Sequence, residues 1–332
     1  MIVFVAGATG AIGGPLVKQL VSAGHEVIGT TRSASKAEQL RAAGAAGVVV
    51  DARDLHALRR AIVTAAPNVV VHQLTDLSRP LQSGRYDEWL RGTNALRRDV
   101  APVLVDAARE AGARRVIAQS VAFMTAPSGP DVLDESAPLY LDAPEPLAAT
   151  ITANAAMEAT VTQAHDIDGV ILRYGFFYGP GTAYAPDGHV VQQIREGAYS
   201  IVGTGTGRFP FIHVDDAAAA TVLALDQGPA GIYNIVDDAP ALMRDWVPYL
   251  AQLLGAPQPP TVSAASAERD AGRQAVYYGT QLRGASNAKA RRDLGFSPVY
   301  PEWRDGFRAS LFGTRPHQRP VSADQPARVG FR

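Results

Sequence analysis

The chain has 332 residues, a formal net charge of -1, 47% hydrophobic residues, 19% charged residues and no cysteine. That length can build one large domain or two modest ones around a sizeable core. The near-zero charge gives no electrostatic reason to expect nucleic acid or an anionic membrane as partner, and the missing cysteines exclude disulfides, thiolate catalysis and Cys-ligated zinc. No apolar run approaches the ~20 residues that span a bilayer. The apolar start is a short strand with no basic stretch before it rather than a signal peptide, so a cytoplasmic protein is expected.

Met1 to Gly14 reads MIVFVAGATGAIGG. Ile2 to Ala6 is a β-branched apolar run bounded by Gly7, which predicts a buried parallel strand. Gly7, Gly10 and Gly13 follow at three-residue spacing, and Ile12, Leu16, Leu20 and Val21 then share one face of a helix ending at Gly24. A strand, a glycine turn and a helix N-terminus make an anion site. Free N–H groups and the helix dipole face the turn, and the glycines let a pyrophosphate approach the backbone. In this context the pattern predicts dinucleotide binding through Gly7, Thr9, Gly10, Ala11, Ile12 and Gly13.

The next strand is expected over Glu26 to Thr30, before Thr31-Arg32-Ser33, with Ser35 to Glu38 reading as a capping box. An acid at this strand end would hold the ribose hydroxyls of NAD. Instead Arg32 and Ser33 stand there, which favours NADP over NAD. Val48 to Val50, Val69 to Val71, Val116 to Ala118, Val170 to Leu172 and Gly231 to Val236 read as further strands. Residues 76–92 look like a polar, irregular insertion, and Thr93-Asn94 then opens a helix through Ala111. Residues 125–147 are rich in Pro and acids and read as a long loop, followed by a helix from about Ala149 to Ala164. Residues 256–285 show no clear periodicity, and a short helix is expected over Ser286 to Leu294. Strand and helix alternate repeatedly, so the fold class is α/β: a doubly wound, Rossmann-type parallel sheet with a smaller substrate-binding region weighted to the C-terminus. Residues 1–175 form the first part, with 213–236 returning to it. Residues 176–212 and 237–312 form the second, and 313–332 a tail.

The chain resembles the extended short-chain dehydrogenase/reductase family, also called the NAD-dependent epimerase/dehydratase family. The resemblance rests on GATGAIGG, Asp51, His72 to Thr75, Thr93-Asn94, RYGFFYGPG, FIHVDD and SNAKARRDLGF, and runs from Met1 to about Phe307. It implies that Asp51 and Ala52 face the adenine and that Leu74 and Thr75 line the path of the nicotinamide ribose. By the same resemblance Asn94 and Tyr174 belong to the cofactor site, and Ser120 matches the family's active-site Ser/Thr. It also implies a homodimer formed through the Ala-rich helices near 94–111 and 149–164, whose signature is twice the chain mass in solution.

One departure from the pattern is decisive. The family's Tyr-x-x-x-Lys pair falls here on Thr150 and Asn154. The only lysines are Lys18, Lys36 and Lys289, and the residues four before them are Gly14, Arg32 and Ala285, so no such pair exists in the chain. A threonine hydroxyl is a poor acid, and neutral asparagine cannot improve it. Ser120 and Tyr178 are therefore the candidate catalytic residues. His213 beside Asp215-Asp216, and His189 with Asp187, read more simply as structural or solvated groups. No H-x-x-x-H or H-E-x-x-H spacing occurs, so no metal site is expected. The expected activity is NADP-dependent reduction of a small organic substrate that needs no strong acid, such as an activated C=C, C=N or quinone. A non-redox isomerase, dehydratase or cyclase, or a dinucleotide-sensing regulator, are the alternatives.

Overall fold

The computed structural model describes residues 1–77 and 85–313. Its centre is a seven-stranded sheet whose neighbouring strands all run parallel. The first five strands are β1 (Ile2–Ala6), β2 (Glu26–Thr31), β3 (Ala46–Val49), β4 (Val69–His72) and β5 (Arg115–Val121). Strands Asp168–Tyr174 and Gly231–Ile235 complete the sheet on the β5 side, and β2 and β3 lie on the other side of β1. The order thus reverses between β1 and β4. Crossovers leave this point in opposite directions, opening a crevice at the carboxyl ends of the strands.

Alternation along β1 shows why two layers of helix cover the sheet. Val3 and Val5 join the core beneath α1 (Gly13–Ser22) and the Ala-rich helix Val214–Leu223, with Leu16, Leu20 and Ala217. Phe4 and Ala6 face the opposite core, with Leu58, Leu104 and Met157. The helices of that second face are α3 (Leu55–Ala65), α5 (Ala101–Glu110) and α6 (Leu147–Thr162). A third core, beyond the carboxyl end of β5 and touching it through Val121, holds Tyr178, Tyr184, Phe211, Trp246 and Phe307.

The elements differ from the sequence reading in several places. Helix α2 spans Ala34–Ala42 and is capped by Ser33, whose hydroxyl accepts the Lys36 amide. The expected Ser35–Glu38 capping box does not form, and Glu38 pairs with Arg41 one turn later. The insertion expected over 76–92 contains helix α4, Tyr86–Ala95, while 78–84 lie outside the described residues. Tyr86, Leu90 and Thr93 are buried along one side of α4, and Asp87 and Glu88 suit its N-terminal dipole. Between α4 and α5 the helix widens into a π-helical turn, Leu96–Val100. The unassigned stretch 256–285 resolves into helices Ala264–Ala271 and Arg273–Val276 and a second π turn, Tyr277–Gln281. All but the first residue of the expected tail lies outside the described residues.

Candidate active site

One continuous cleft of about 1480 Å³ runs from the β1–α1 turn across the carboxyl ends of the strands into the third core. Ligand pockets are commonly ~300–1,000 Å³, so this one has room for a cofactor and a substrate together. Gly7, Thr9, Gly10, Ala11, Ile12, Gly13, Arg32, Ser33, Asp51, Ala52, Leu74 and Thr75 all line it. The glycine turn is tight where it meets the protein and open where it meets the cleft. Gly7 has φ +91°, and a Cβ there would lie 2.7 Å from the Gln73 carbonyl oxygen. A Cβ on Gly13 would lie 2.2 Å from the Gly7 carbonyl oxygen. At Gly10 the protein comes no nearer than 3.6 Å. No side chain caps the N-terminus of α1, and its first turn carries no acid. Bare N–H groups at an open helix end are what a pyrophosphate requires, so these residues fit a dinucleotide.

At the end of β2, Arg32 is exposed beside Lys36, and neither makes an ion pair among the described residues. Ser33 uses its oxygen as the α2 cap and lies 2.8 Å from the Ser35 hydroxyl. Asp51 accepts the Arg53 amide at 3.0 Å, and Arg53 reaches Asp76 at 2.6 Å.

Four expected site residues lie elsewhere. Ser120 has no exposed surface, and its hydroxyl donates to the Glu158 carboxylate at 2.6 Å and Asn154 Oδ1 at 3.3 Å. Tyr178 is also fully buried. Its hydroxyl donates to Asp237 at 3.0 Å, and its ring packs on Phe211, His213 and Phe307. Burial and the neighbouring Asp237 hold the phenol of Tyr178 well above its usual range. Neither side chain lines the cleft, so the structure sets both expected catalytic residues behind its wall rather than on its surface. Tyr174 is sealed behind the sheet, bonded to Thr221 at 2.6 Å and to Gln73 at 3.2 Å. Asn94 does not line the cleft; it donates to the Thr150 hydroxyl at 3.1 Å.

Thr150 and Asn154, which stand where the family's acid pair falls, are each 1% exposed. Thr150 lines the cleft. Asn154 does not; its amide donates to the Thr150 carbonyl at 2.8 Å and to Met124 Sδ at 3.2 Å. Behind it, Glu158 receives Arg173 at 2.8 and 2.5 Å, tying α6 to strand Asp168–Tyr174.

Arg97 has no place in the sequence reading. It sits in the π turn, is 5% exposed and lines the inner cleft. Its Nη1 has no hydrogen-bond partner among the described residues. Burial lowers its pKa to about 10, so it stays charged at neutral pH. The Tyr86 and Tyr278 hydroxyls share a 2.8 Å hydrogen bond on the same wall and lie within electrostatic reach of Arg97. A signal for Arg97 did exist. Leu90, Thr93, Arg97, Val100 and Leu104 follow three- and four-residue spacing, which puts one cation on an otherwise buried face.

His213 is structural. Its Nδ1 accepts the Asp215 amide at 3.1 Å, and its ring lies 4.2 Å from that of Tyr300. Burial pushes its pKa down to about 4. Buried His72 is lowered equally far, by burial and then by Arg97. As pH falls from 6.5 toward 4, the unfolded chain binds protons that folded histidines refuse, so stability falls by up to about 1.4 kcal/mol per pH unit for each. Asp216 acts oppositely, because burial raises its carboxyl to about 6 and the folded state then binds its proton first. His213→Asn keeps a capping oxygen but removes one titration. Between pH 7 and pH 4.5 the parent should lose roughly 2 kcal/mol relative to this variant. Urea melts giving parallel pH profiles for the two proteins would contradict the assignment.

A glycine cradle at the switch point of a parallel sheet, opening into an adjoining chamber, defines a dinucleotide-dependent enzyme. The profile of the NAD dependent epimerase/dehydratase family matches residues 3–236, and the chain belongs to that family. It is an NAD(P)-dependent enzyme of the oxidoreductase kind and binds a nicotinamide dinucleotide. It is 46% identical over 308 residues to the 3-diazoavenalumate denitrifying reductase of a Streptomyces species, covering 92% of this chain and 99% of the relative. The fold is similar to UDP-glucose 4-epimerase from Thermotoga maritima with UDP-glucose, at TM-score 0.73 and 19% identity, over 93% of this chain and 97% of that one. It is also similar to UDP-glucose 4-epimerase from Thermus thermophilus with NAD, at TM-score 0.71 and 22% identity, over 93% and 97% of the two chains. Among the described residues no helix is long and apolar enough to cross a membrane.

Proposed function

We propose that this enzyme is an NADP-dependent reductase of an electrophile that is already activated, with an aryl diazo compound as its substrate class. The observation that carries this reading is the cleft-facing side of α6. Where a carbonyl reductase of this family needs a phenol and an ammonium group, Thr150 presents a hydroxyl tied to Asn94, with Asn154 sealed behind it. Carbonyl reduction leaves an alkoxide that must be protonated, and neither of these side chains is an acid near neutral pH. A reduced nicotinamide bound in the cleft supplies a hydride. An arenediazonium that gains a hydride forms a C–H bond, while the C–N bond breaks and its electron pair leaves with dinitrogen. Charge is conserved, and no proton enters. The relative named as a denitrifying reductase supports the same chemistry.

The residues divide the work. The β1–α1 turn holds the pyrophosphate, and Arg32 with Lys36 receives a 2′-phosphate. Leu74 and Thr75 flank the nicotinamide ribose. We assign the cofactor to 1–175 with 213–236, and the substrate chamber to 176–212 and 237–312. The test is anaerobic turnover of an arenediazonium carboxylate with NADPH, following dinitrogen release and the deaminated arene. One dinitrogen per NADPH consumed is expected. Turnover without loss of NADPH absorbance, or none on any diazo compound, overturns the proposal. In the same assay NADPH should outperform NADH, and Arg32→Ala should narrow that preference roughly tenfold, the scale of one charge-assisted hydrogen bond. An unchanged ratio would remove Arg32 from phosphate recognition.

A further inference from the structure

Among the described residues, Arg97 is the one buried cation of the cleft to which the reading above gives no task. An isolated guanidinium out of water is costly, and buried charges are normally paired. Here Nη1 is unpartnered, and Arg97 has no ion pair among the described residues. Glu158, the one acid that supports it electrostatically, is already engaged by both Arg173 nitrogens and by Ser120. The Tyr86–Tyr278 pair shares one of its two phenolic protons, leaving the other free to donate. Cation and phenols thus converge on one end of the cleft and, among the described residues, lack an acceptor.

The surrounding wall says what carries that acceptor. Phe123 and Phe176 stack with ring centroids 4.0 Å apart and planes 16° from parallel, and Tyr278 stands edge-on to both. All three line the cleft, with Trp89 nearby. Such an aromatic wall suits a flat ring laid against it. Its charge does not suit a nucleoside diphosphate. Arg32, Lys36 and Arg53 are cations of the cofactor end, and Arg53 is paired with Asp76. From Gly181 onward the described lining residues include Asp187 and Asp270 but no Lys or Arg. A single unpaired guanidinium fits a single negative charge.

We propose that Arg97 is an anion subsite selecting a planar aromatic substrate that bears a carboxylate, which Arg97 and a phenol of the Tyr86–Tyr278 pair clamp while the ring lies along Phe123 and Phe176. This rests on the reductase reading only for the reaction, not for the binding. Both Arg97 and the phenols act in recognition, so the electrophilic end of the substrate points away from them.

The test is calorimetric binding of cinnamate, cinnamamide and UDP-glucose to the full chain saturated with NADP. In the parent, cinnamate should bind at least tenfold more tightly than its uncharged amide. Arg97→Gln should abolish that difference, Arg97→Lys should retain part of it, and NADPH affinity should stay within twofold for both variants. Equal binding of acid and amide by the parent overturns the proposal without any variant. So does an Arg97→Gln protein that loses NADPH rather than cinnamate, or Arg97-dependent binding of UDP-glucose tighter than that of cinnamate. No turnover enters this measurement. A failed diazo assay therefore leaves the subsite standing, whereas an active diazo reductase whose cinnamate binding ignores Arg97 removes the subsite alone.

Discussion

Replacing Glu158 with Ala should destabilise the fold by about 3–5 kcal/mol, the usual cost of removing one partner of a buried ion pair. Glu158 and Arg173 are only 4% and 5% exposed. The carboxylate accepts both Arg173 nitrogens and the Ser120 hydroxyl, so it joins α6, strand Asp168–Tyr174 and β5 at one point. Its loss strands a guanidinium with no water to solvate it and removes the electrostatic support of Arg97. A decisive companion is Glu158→Leu with Arg173→Met. Apolar residues of similar volume leave no orphaned charge, so much of the lost stability should return. Urea denaturation of parent, single and double variants measures this. A single variant within 1 kcal/mol of the parent, or a double variant worse than the single, would sink the account.

Installing the family's acid pair, Thr150→Tyr with Asn154→Lys, should create no carbonyl reductase and should cut native turnover by tenfold or more. The hydrogen bonds around these positions explain why. Thr150 accepts from Asn94, and Asn154 spans Ser120, the Thr150 carbonyl and Met124. A tyrosine at 150 loses the Asn94 acceptor geometry and fills cleft space; a lysine at 154 forces an ammonium into a site built for a neutral amide. Overpacking alone typically costs about 1–3 kcal/mol. NADPH oxidation on a carbonyl panel, beside the native assay, reads both effects. A gain of carbonyl reduction by a folded double variant would show that the site is a decayed reductase rather than a rebuilt one.

The parts of the molecule legible in the sequence are those where one local pattern has one structural solution. A β-branched run before Gly7 can only be a buried strand here, and the glycine spacing can only turn back into a helix, so the sheet and the phosphate cradle follow. The interior of the cleft obeys no such rule. Ser120 stands at a strand's carboxyl end, as a site residue should, yet whether its hydroxyl meets a ligand depends on Glu158, which is 38 residues away. Tyr178 sits in a segment bordering the chamber, but strand pairing with Phe211–His213 turns its ring into the core. Tyr86 and Tyr278 meet across 192 residues and through a π turn at the second of them, a juxtaposition that periodicity cannot reveal. Arg97 is hidden differently. Its spacing places it on the buried face, but a charged residue there reads as a flaw in an amphipathic pattern until the cavity beside it is seen.

The π turn at Leu96–Val100 carries a consequence for how this enzyme can diverge. An α-helix advances 3.6 residues per turn, so a one-residue insertion rotates everything beyond it by about 100°. A π turn absorbs such an extra residue inside one wide loop of backbone. The chamber-facing side of α4 is thereby uncoupled from the sheet-packing side of α5. Substitutions at Tyr86 or Leu90 can then reshape the chamber while Leu104 and Val105 keep their seat against the sheet. The backbone irregularity that contains Arg97 acts as a register joint between a fixed scaffold and a chamber free to adapt.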